Sequence, residues 1–175
     1  ELLTFPPILF IGEASGFLQN NLAKFSVLLS KNKPIRMVAI DQRLLNAPDP
    51  NINWEDASHG YRQELASIAI AHRSTHCFQS AINQPQAIYQ GTDRGLTVDA
   101  PSFMQFLIPG TTEVHLAEVL KLSAAVEGRF FPTISYELNR GKKWGSRFDI
   151  SANPQPNEDW PKYDYTFVDV DGEEK

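Results

Sequence analysis

A glycine turn and two acids carry the chemistry this chain spells most clearly. The apolar run Ile8-Leu9-Phe10-Ile11 leads into Gly12-Glu13-Ala14-Ser15-Gly16-Phe17. About two dozen residues later Ile35-Arg36-Met37-Val38-Ala39-Ile40 ends in Asp41. Strand, tight turn, helix and a second strand closed by an acid is the layout by which open α/β sheets hold nucleotides. The ligand's polar groups lie over the first turn, and the acid accepts hydrogen bonds from ribose hydroxyls. Gly12 and Gly16 suit the turn, while Ala14 stands where a second glycine would let a ligand approach.

Other chemistry-bearing residues read more plainly. His72 and His76 are four apart, a spacing that on one helix face suits a metal. Arg73, Ser74 and Thr75 stand between them, so there is no H-E-x-x-H, and a third ligand would have to come from His59, His115 or an acid. They are expected to be surface histidines, with no metal site. Cys77 is the only cysteine, which excludes an internal disulfide and a four-cysteine zinc site. With no base beside it in sequence, it reads as a small core residue rather than a nucleophile. Arg140, Lys142, Lys143 and Arg147 cluster among Phe130, Phe131, Tyr136, Trp144, Phe148, Trp160, Tyr163, Tyr165 and Phe167. The basic run reads as a solvated loop or hairpin, and the aromatics as closing the core and edge of the sheet rather than as a platform for bases.

The 175 residues suit one domain spanning 1–175. At 42% hydrophobic and 21% charged, the composition is that of an ordinary globular protein. A net charge of -5 argues against a broad nucleic-acid surface, since phosphate neutralisation drives most such binding. No apolar run approaches the roughly 18 residues that span a bilayer. The first residues lack a basic region and a small-residue cleavage site, so no signal peptide is expected. With the lone cysteine, this predicts a cytoplasmic setting and no membrane partner.

The pattern predicts an α/β fold: a Rossmann-like open sheet, mostly parallel, with antiparallel strands toward the C-terminus. Ile8–Ile11 reads as a central strand buried on both faces. Phe17, Leu18, Leu22, Phe25, Leu28 and Leu29 recur at helical spacing up to Ser30. Residues 46–53 form a loop rich in Pro and Asn. A long helix is expected from Asp56 or Ser58 to about Ile82, ended by Asn83-Gln84-Pro85, with Tyr61, Leu65, Ile68 and Ala69 facing the core and Ser74 and Thr75 marking a candidate break. Ala87–Gln90 reads as a short strand and Gly91–Gly95 as its turn. A strand over Phe103–Ile108 precedes a helix capped by Thr111 or Thr112 and ended by Gly128. Phe130–Leu138, Arg147–Ile150 and Tyr165–Val170 complete the strands.

The strand, Gly-Glu turn, helix and acid-ended strand resemble the class I S-adenosylmethionine-dependent methyltransferase fold. Within it the chain looks most like the Rossmann-like domain family of ribosomal-RNA uridine-N3 methyltransferases. Ile8-Leu9-Phe10-Ile11-Gly12-Glu13 matches that family's first strand and turn; Ala14-Ser15-Gly16-Phe17 departs from its Gly-Asn-Phe-Ser. Gly91-Thr92-Asp93-Arg94-Gly95-Leu96 resembles the family's Gly-Val-Asp-Ala-Thr at the Gly and the Asp. Phe106-Leu107-Ile108-Pro109-Gly110 keeps the proline of an Asn-Phe-Pro-His element, and Trp160-Pro161-Lys162-Tyr163 resembles a Tyr-Pro-x-Tyr turn.

The resemblance implies S-adenosylmethionine as cofactor. Gly12 would make the turn, and backbone N–H groups of Ala14, Ser15 and Gly16 would face the methionine part. Glu13 would lie near its positive charge, and Asp41 would take the ribose. Asp93, with Thr92 beside it, would bind the adenine. No single catalytic residue is implied, because a sulfonium leaves readily and the protein supplies alignment. RNA is the substrate by analogy, while the acidic balance leaves a protein or small molecule open. The departures at Ala14 and at Ile108-Pro109-Gly110 motivate a second expectation, a catalytically inactive Rossmann-like module that binds a protein partner.

Overall fold

A computed structural model of the chain describes residues 8–19, 21–31, 33–42, 64–109 and 116–153, together with residue 172. Six strands form one open sheet: β1 (Ile8–Glu13), β2 (Ile35–Asp41), β3 (His76–Ala81), β4 (Ser102–Leu107), β5 (Ile134–Tyr136) and β6 (Phe148–Asp149). Their spatial order is β1-β2-β4-β3-β5-β6. The first four are parallel; at the far side β5 runs antiparallel to β3, and β6 antiparallel to β5. The expected mixed α/β sheet is therefore observed.

The helices are α1 (Ala14–Leu18), α2 (Leu22–Leu29), α3 (Leu65–Ala71), α4 (Pro85–Thr97) and α5 (Leu116–Glu127), with a 3₁₀ turn at Trp144–Arg147. The strand registers place Met37, Ala39 and Asp41 on one sheet face with Cys77, Gln79, Ala81, Phe103, Gln105 and Leu107. There α1, α2 and α3 bury Ala14, Phe25, Leu29, Leu65, Ala66 and Ala69 against Met37, Cys77 and Phe103. Each large apolar side chain so buried contributes about 1.5–3 kcal/mol before entropy is set against it. Toward the carboxyl ends of β3 and β4, Leu122, Ala125 and Val126 of α5 close over Ala81, Leu107 and Phe131.

The opposite face carries α4 alone among the described helices. Its contact with the sheet depends on Gly91 and Gly95, one turn apart on one helix face. A Cβ at Gly91 would clash with the Phe78 ring, and one at Gly95 would come within 2.7 Å of Met104 Sδ. The residues expected as a strand and its glycine turn are thus one helix. Pro85 starts it at N1, where a missing N–H costs nothing, and the glycines let it lie close to the sheet.

Further expectations are corrected. The helix expected to reach Ile82 ends at Ala71. Arg73 then takes a left-handed backbone (φ 61°), and His76–Ala81 is a strand buried at every residue. The helix expected to run from Phe17 to Ser30 is split into α1 and α2. The first strand is not central. It is the edge of the described sheet, with Ile8, Leu9, Phe10 and Ile11 between 42% and 67% exposed. The strand expected over Phe130–Leu138 shrinks to Ile134–Tyr136, and Arg147–Ile150 to Phe148–Asp149. Residues 46–63, the cap at Thr111 or Thr112, and Tyr165–Val170 lie outside the described residues.

Candidate functional site at the carboxyl end of the sheet

The first turn is built as the sequence suggests. β1 runs straight into α1, with Glu13 as N-cap in extended conformation. A cavity of about 320 Å³ lies against this turn, lined by Gly12, Glu13, Gly16, Phe17, Lys24 and Met37 among others. Three of the expected cofactor residues thus meet at one concave surface. Neither turn glycine has a left-handed backbone, and a Cβ at Gly16 would meet open space. Glycine here leaves room rather than relieving strain. Ser15 Oγ donates to Glu13 Oε2 at 3.3 Å, and Asn21 Nδ2 donates to Gly16 O at 2.9 Å. Ala14 points away from the cavity into the core, at 1% exposure. With only five residues, α1 supplies little more than one turn of aligned peptide dipoles.

Asp41 ends β2 as expected, but inside the protein. Its side chain is fully buried, and Gln105 Nε2 donates to its Oδ2 at 2.7 Å. Gln105 and Gln79 are direct register partners on β4 and β3, and Gln79 Nε2 donates to Pro132 O at 2.8 Å. Each carboxamide is oriented by the acceptor its nitrogen serves, so both amide oxygens are left without a donor. Asp41 is therefore part of an internal polar layer.

Thr92 and Asp93 sit elsewhere. They lie in the middle of α4, which covers the sheet face opposite to that of Asp41. Asp93 is exposed, and its carbonyl accepts from Thr97 Oγ1 at 2.9 Å. The eight expected residues are thus divided. Gly12, Glu13 and Gly16 line a cavity, Ser15 adjoins Glu13, Ala14 and Asp41 are internal, and Thr92 and Asp93 are on the far face.

The topology marks a different crevice. In doubly wound sheets such as the 3-2-1-4-5-6 arrangement, ligands bind where neighbouring strands send their connections to opposite faces. Here β3 leads to α4 on one face and β4 leads toward α5 on the other, so that point lies between β3 and β4. Asn83 stands there. Its Nδ2 donates to Ser123 Oγ at 2.9 Å, while its Oδ1 has no partner. Sequence reasoning took Asn83-Gln84-Pro85 for a helix end, and only the strand order could have singled it out.

The remaining candidates resolve structurally. The His72 ring lies within 3.0 Å of Ser26 Oγ and 3.1 Å of Ser30 Oγ, tying α3 to α2. His76 is on a strand and buried, so the two imidazoles share no helix face, and the expected surface position of His76 is corrected. Among the described residues no group of three His, Cys, Asp or Glu is placed to hold a metal. Burial pushes the Cys77 thiol far above its ordinary pKa, which rules against a nucleophile. Arg140 pairs with Asp149 at 2.5 Å, and Arg147 donates to Gly141 O and Arg73 O. Phe148 packs edge-on against Tyr136 and Trp144, with the Arg73 guanidinium over the Trp144 ring. Trp160, Tyr163, Tyr165 and Phe167 lie outside the described residues. Among those described, no helix is long and apolar enough to cross a membrane.

No protein-family model matches the chain, and no curated protein gives a significant match to it.

Proposed function

We propose that this chain is a non-catalytic α/β module that binds a protein partner, the partner adding an extended segment along β1. The observation that carries this reading is the exposure of Ile8, Leu9, Phe10 and Ile11 on both faces of the strand at the edge of the described sheet. A continuous apolar run is the composition of a parallel strand covered on both sides. Edge strands that stay free are instead marked by lysine, proline or a bulge, and Ile8–Glu13 has none of these. An extended polypeptide would complete the sheet through main-chain hydrogen bonds. The division of the expected cofactor residues between two sheet faces supports the absence of catalysis. The lone buried thiol of Cys77 suits a cytoplasmic setting.

A second reading has one observation in its favour. Gly12, Glu13 and Gly16 line a common cavity at the first turn, where a methyltransferase would hold S-adenosylmethionine before passing its methyl group to RNA, protein or a small molecule. Calorimetry separates the two. The partner-binding reading expects no heat from S-adenosylmethionine or S-adenosylhomocysteine at millimolar concentration. Micromolar binding that is lost in Gly16→Phe, which fills the cavity from an open position, would overturn it in favour of the enzyme.

A further inference from the structure

The strand that would receive a partner has the composition of its own complement. β1 pairs with β2 in parallel, Ile8 opposite Ile35 and Phe10 opposite Met37. Ile8, Phe10 and Gly12 therefore share the sheet face on which α1 and α2 pack, and Leu9 and Ile11 share the other. All four apolar side chains are exposed, so a strand laid against β1 has to be apolar on both faces as well. Ile8–Ile11 itself meets that requirement.

Charge selects the direction of that strand. Lys31 and Lys33 are exposed in the turn that leads into β2, where Ile35 N donates to Lys33 O at 2.7 Å. They stand at the amino end of β2, level with the Ile8 end of β1. Exposed Glu13 closes the other end. Its carboxylate accepts from Ser15 Oγ, and among the described residues no ion pair ties it to Lys24, which lines the same cavity. An antiparallel second copy of β1 would bring its Glu13 to the lysine end, and a twofold axis would make that contact twice. A parallel copy would set Glu13 beside Glu13.

We propose that β1 pairs antiparallel with β1 of a second copy of this chain, joining the two sheets across a twofold axis; this rests on the partner-binding reading and names the partner. Phe10 would lie at the axis opposite its own copy, Leu9 opposite Ile11, and Ile8 opposite Gly12. Gly12 has no side chain to fill its side of that pair, and the cavity of about 320 Å³ against it would receive Ile8 of the second copy. Pairing the same patch on both subunits closes the assembly at two. It also covers the apolar edge, which would otherwise recruit further strands. A single strand pair is a small interface, so the dimer should exchange at micromolar concentration.

Sedimentation velocity of the whole chain from micromolar to millimolar concentration tests this, with a monomer–dimer equilibrium as the expected result. Ile11→Lys, at an exposed position, should abolish the dimer with an unchanged fold. Glu13→Lys should weaken association at least tenfold; the Glu13 side chain caps no helix N–H, so the fold is not at stake. Lys31→Glu should also weaken it, and the two reversals together should restore it. A dimer that Ile11→Lys leaves intact, or paired reversals that associate no better than Glu13→Lys alone, would overturn the proposal. A monomer at every concentration would overturn it as well, and titration with S-adenosylmethionine then separates two cases. A monomer that takes up none loses self-pairing alone and keeps a different protein as its partner. A monomer that binds it loses the partner-binding reading too.

Discussion

Gln105 of β4 reaches across to Asp41 of β2, its Nε2 2.7 Å from the carboxylate, with both side chains removed from solvent. The two residues are 64 apart in the chain, and the contact exists only because β4 inserts between β2 and β3. A buried carboxylate that loses a donor keeps its desolvation cost without the compensating bond. Gln105→Leu should therefore destabilise the fold by about 1–3 kcal/mol. Asp41→Asn combined with Gln105→Leu should cost less than the sum of the single changes. Urea unfolding of the double-mutant cycle measures this, and additive effects would mean that the pair is not coupled.

The close seating of α4 gives a second prediction. Gly91→Ala drives a methyl into the Phe78 ring, which is held between the helix and Phe106. Overpacking of this kind costs about 1–3 kcal/mol. Gly95→Ala meets the flexible thioether of Met104 instead, so methionine can yield and the gain in helix propensity offsets part of the cost. Thermal unfolding should place Gly91→Ala well below Gly95→Ala. The reverse order would place α4 at a different depth on the sheet.

Cys77 offers a probe of the whole fold. It is fully buried between α3 and β4, with Sγ 3.7 Å from Ala66 O, and burial holds the thiol protonated. Only the thiolate reacts with disulfide reagents. Labelling of the native protein should therefore be slow and should follow global opening, its rate rising with urea in step with the unfolding constant. Rapid labelling without denaturant would show that α3 detaches locally.

The same contacts show what was legible in the chain and what was not. β2, β4 and the core face of α2 were readable because their apolar residues follow local periods; in α5 the apolar Leu116, Val119 and Leu120 are exposed, and Leu122, Ala125 and Val126 are the buried ones. The α4 segment was misread because Gly91 and Gly95 punctuate it like a turn; their purpose, close approach to Phe78 and Met104, depends on strands elsewhere in sequence. The run Ile8–Ile11 encoded a strand correctly but not its place in the sheet, since strand order is a non-local property. For the same reason the acids were found and their separation was not. Asp41 ends the strand expected of it, whereas Asp93, expected in a turn, lies in the middle of α4, which the connections carry to the far face.

His76 makes the stability of the fold depend on pH. Burial, first, and the nearby Arg94 and Arg36 lower its pKa from 6.5 to about 4, while Glu137 opposes them. Asp99 lines the same concave surface as His76, Arg94 and Glu137 and is the remaining charged group there. Between pH 6.5 and 4 the unfolded chain binds the proton and the folded chain resists it, so stability falls as pH falls. The contribution is fully present above 6.5, is lost progressively down to about 4, and is flat below that. It amounts to about 3 kcal/mol at most. Asp149 acts in a separate window. Hydrogen bonds from Ser151 and Arg140 lower its pKa from 3.8 to about 2, so its share is lost only as pH falls through that lower range. Urea unfolding of the wild type and His76→Phe from pH 7.5 to 3 separates the two. The variant should lose the slope between 6.5 and 4 and keep the one below 3.8. An unchanged upper slope would assign that pH dependence to other groups.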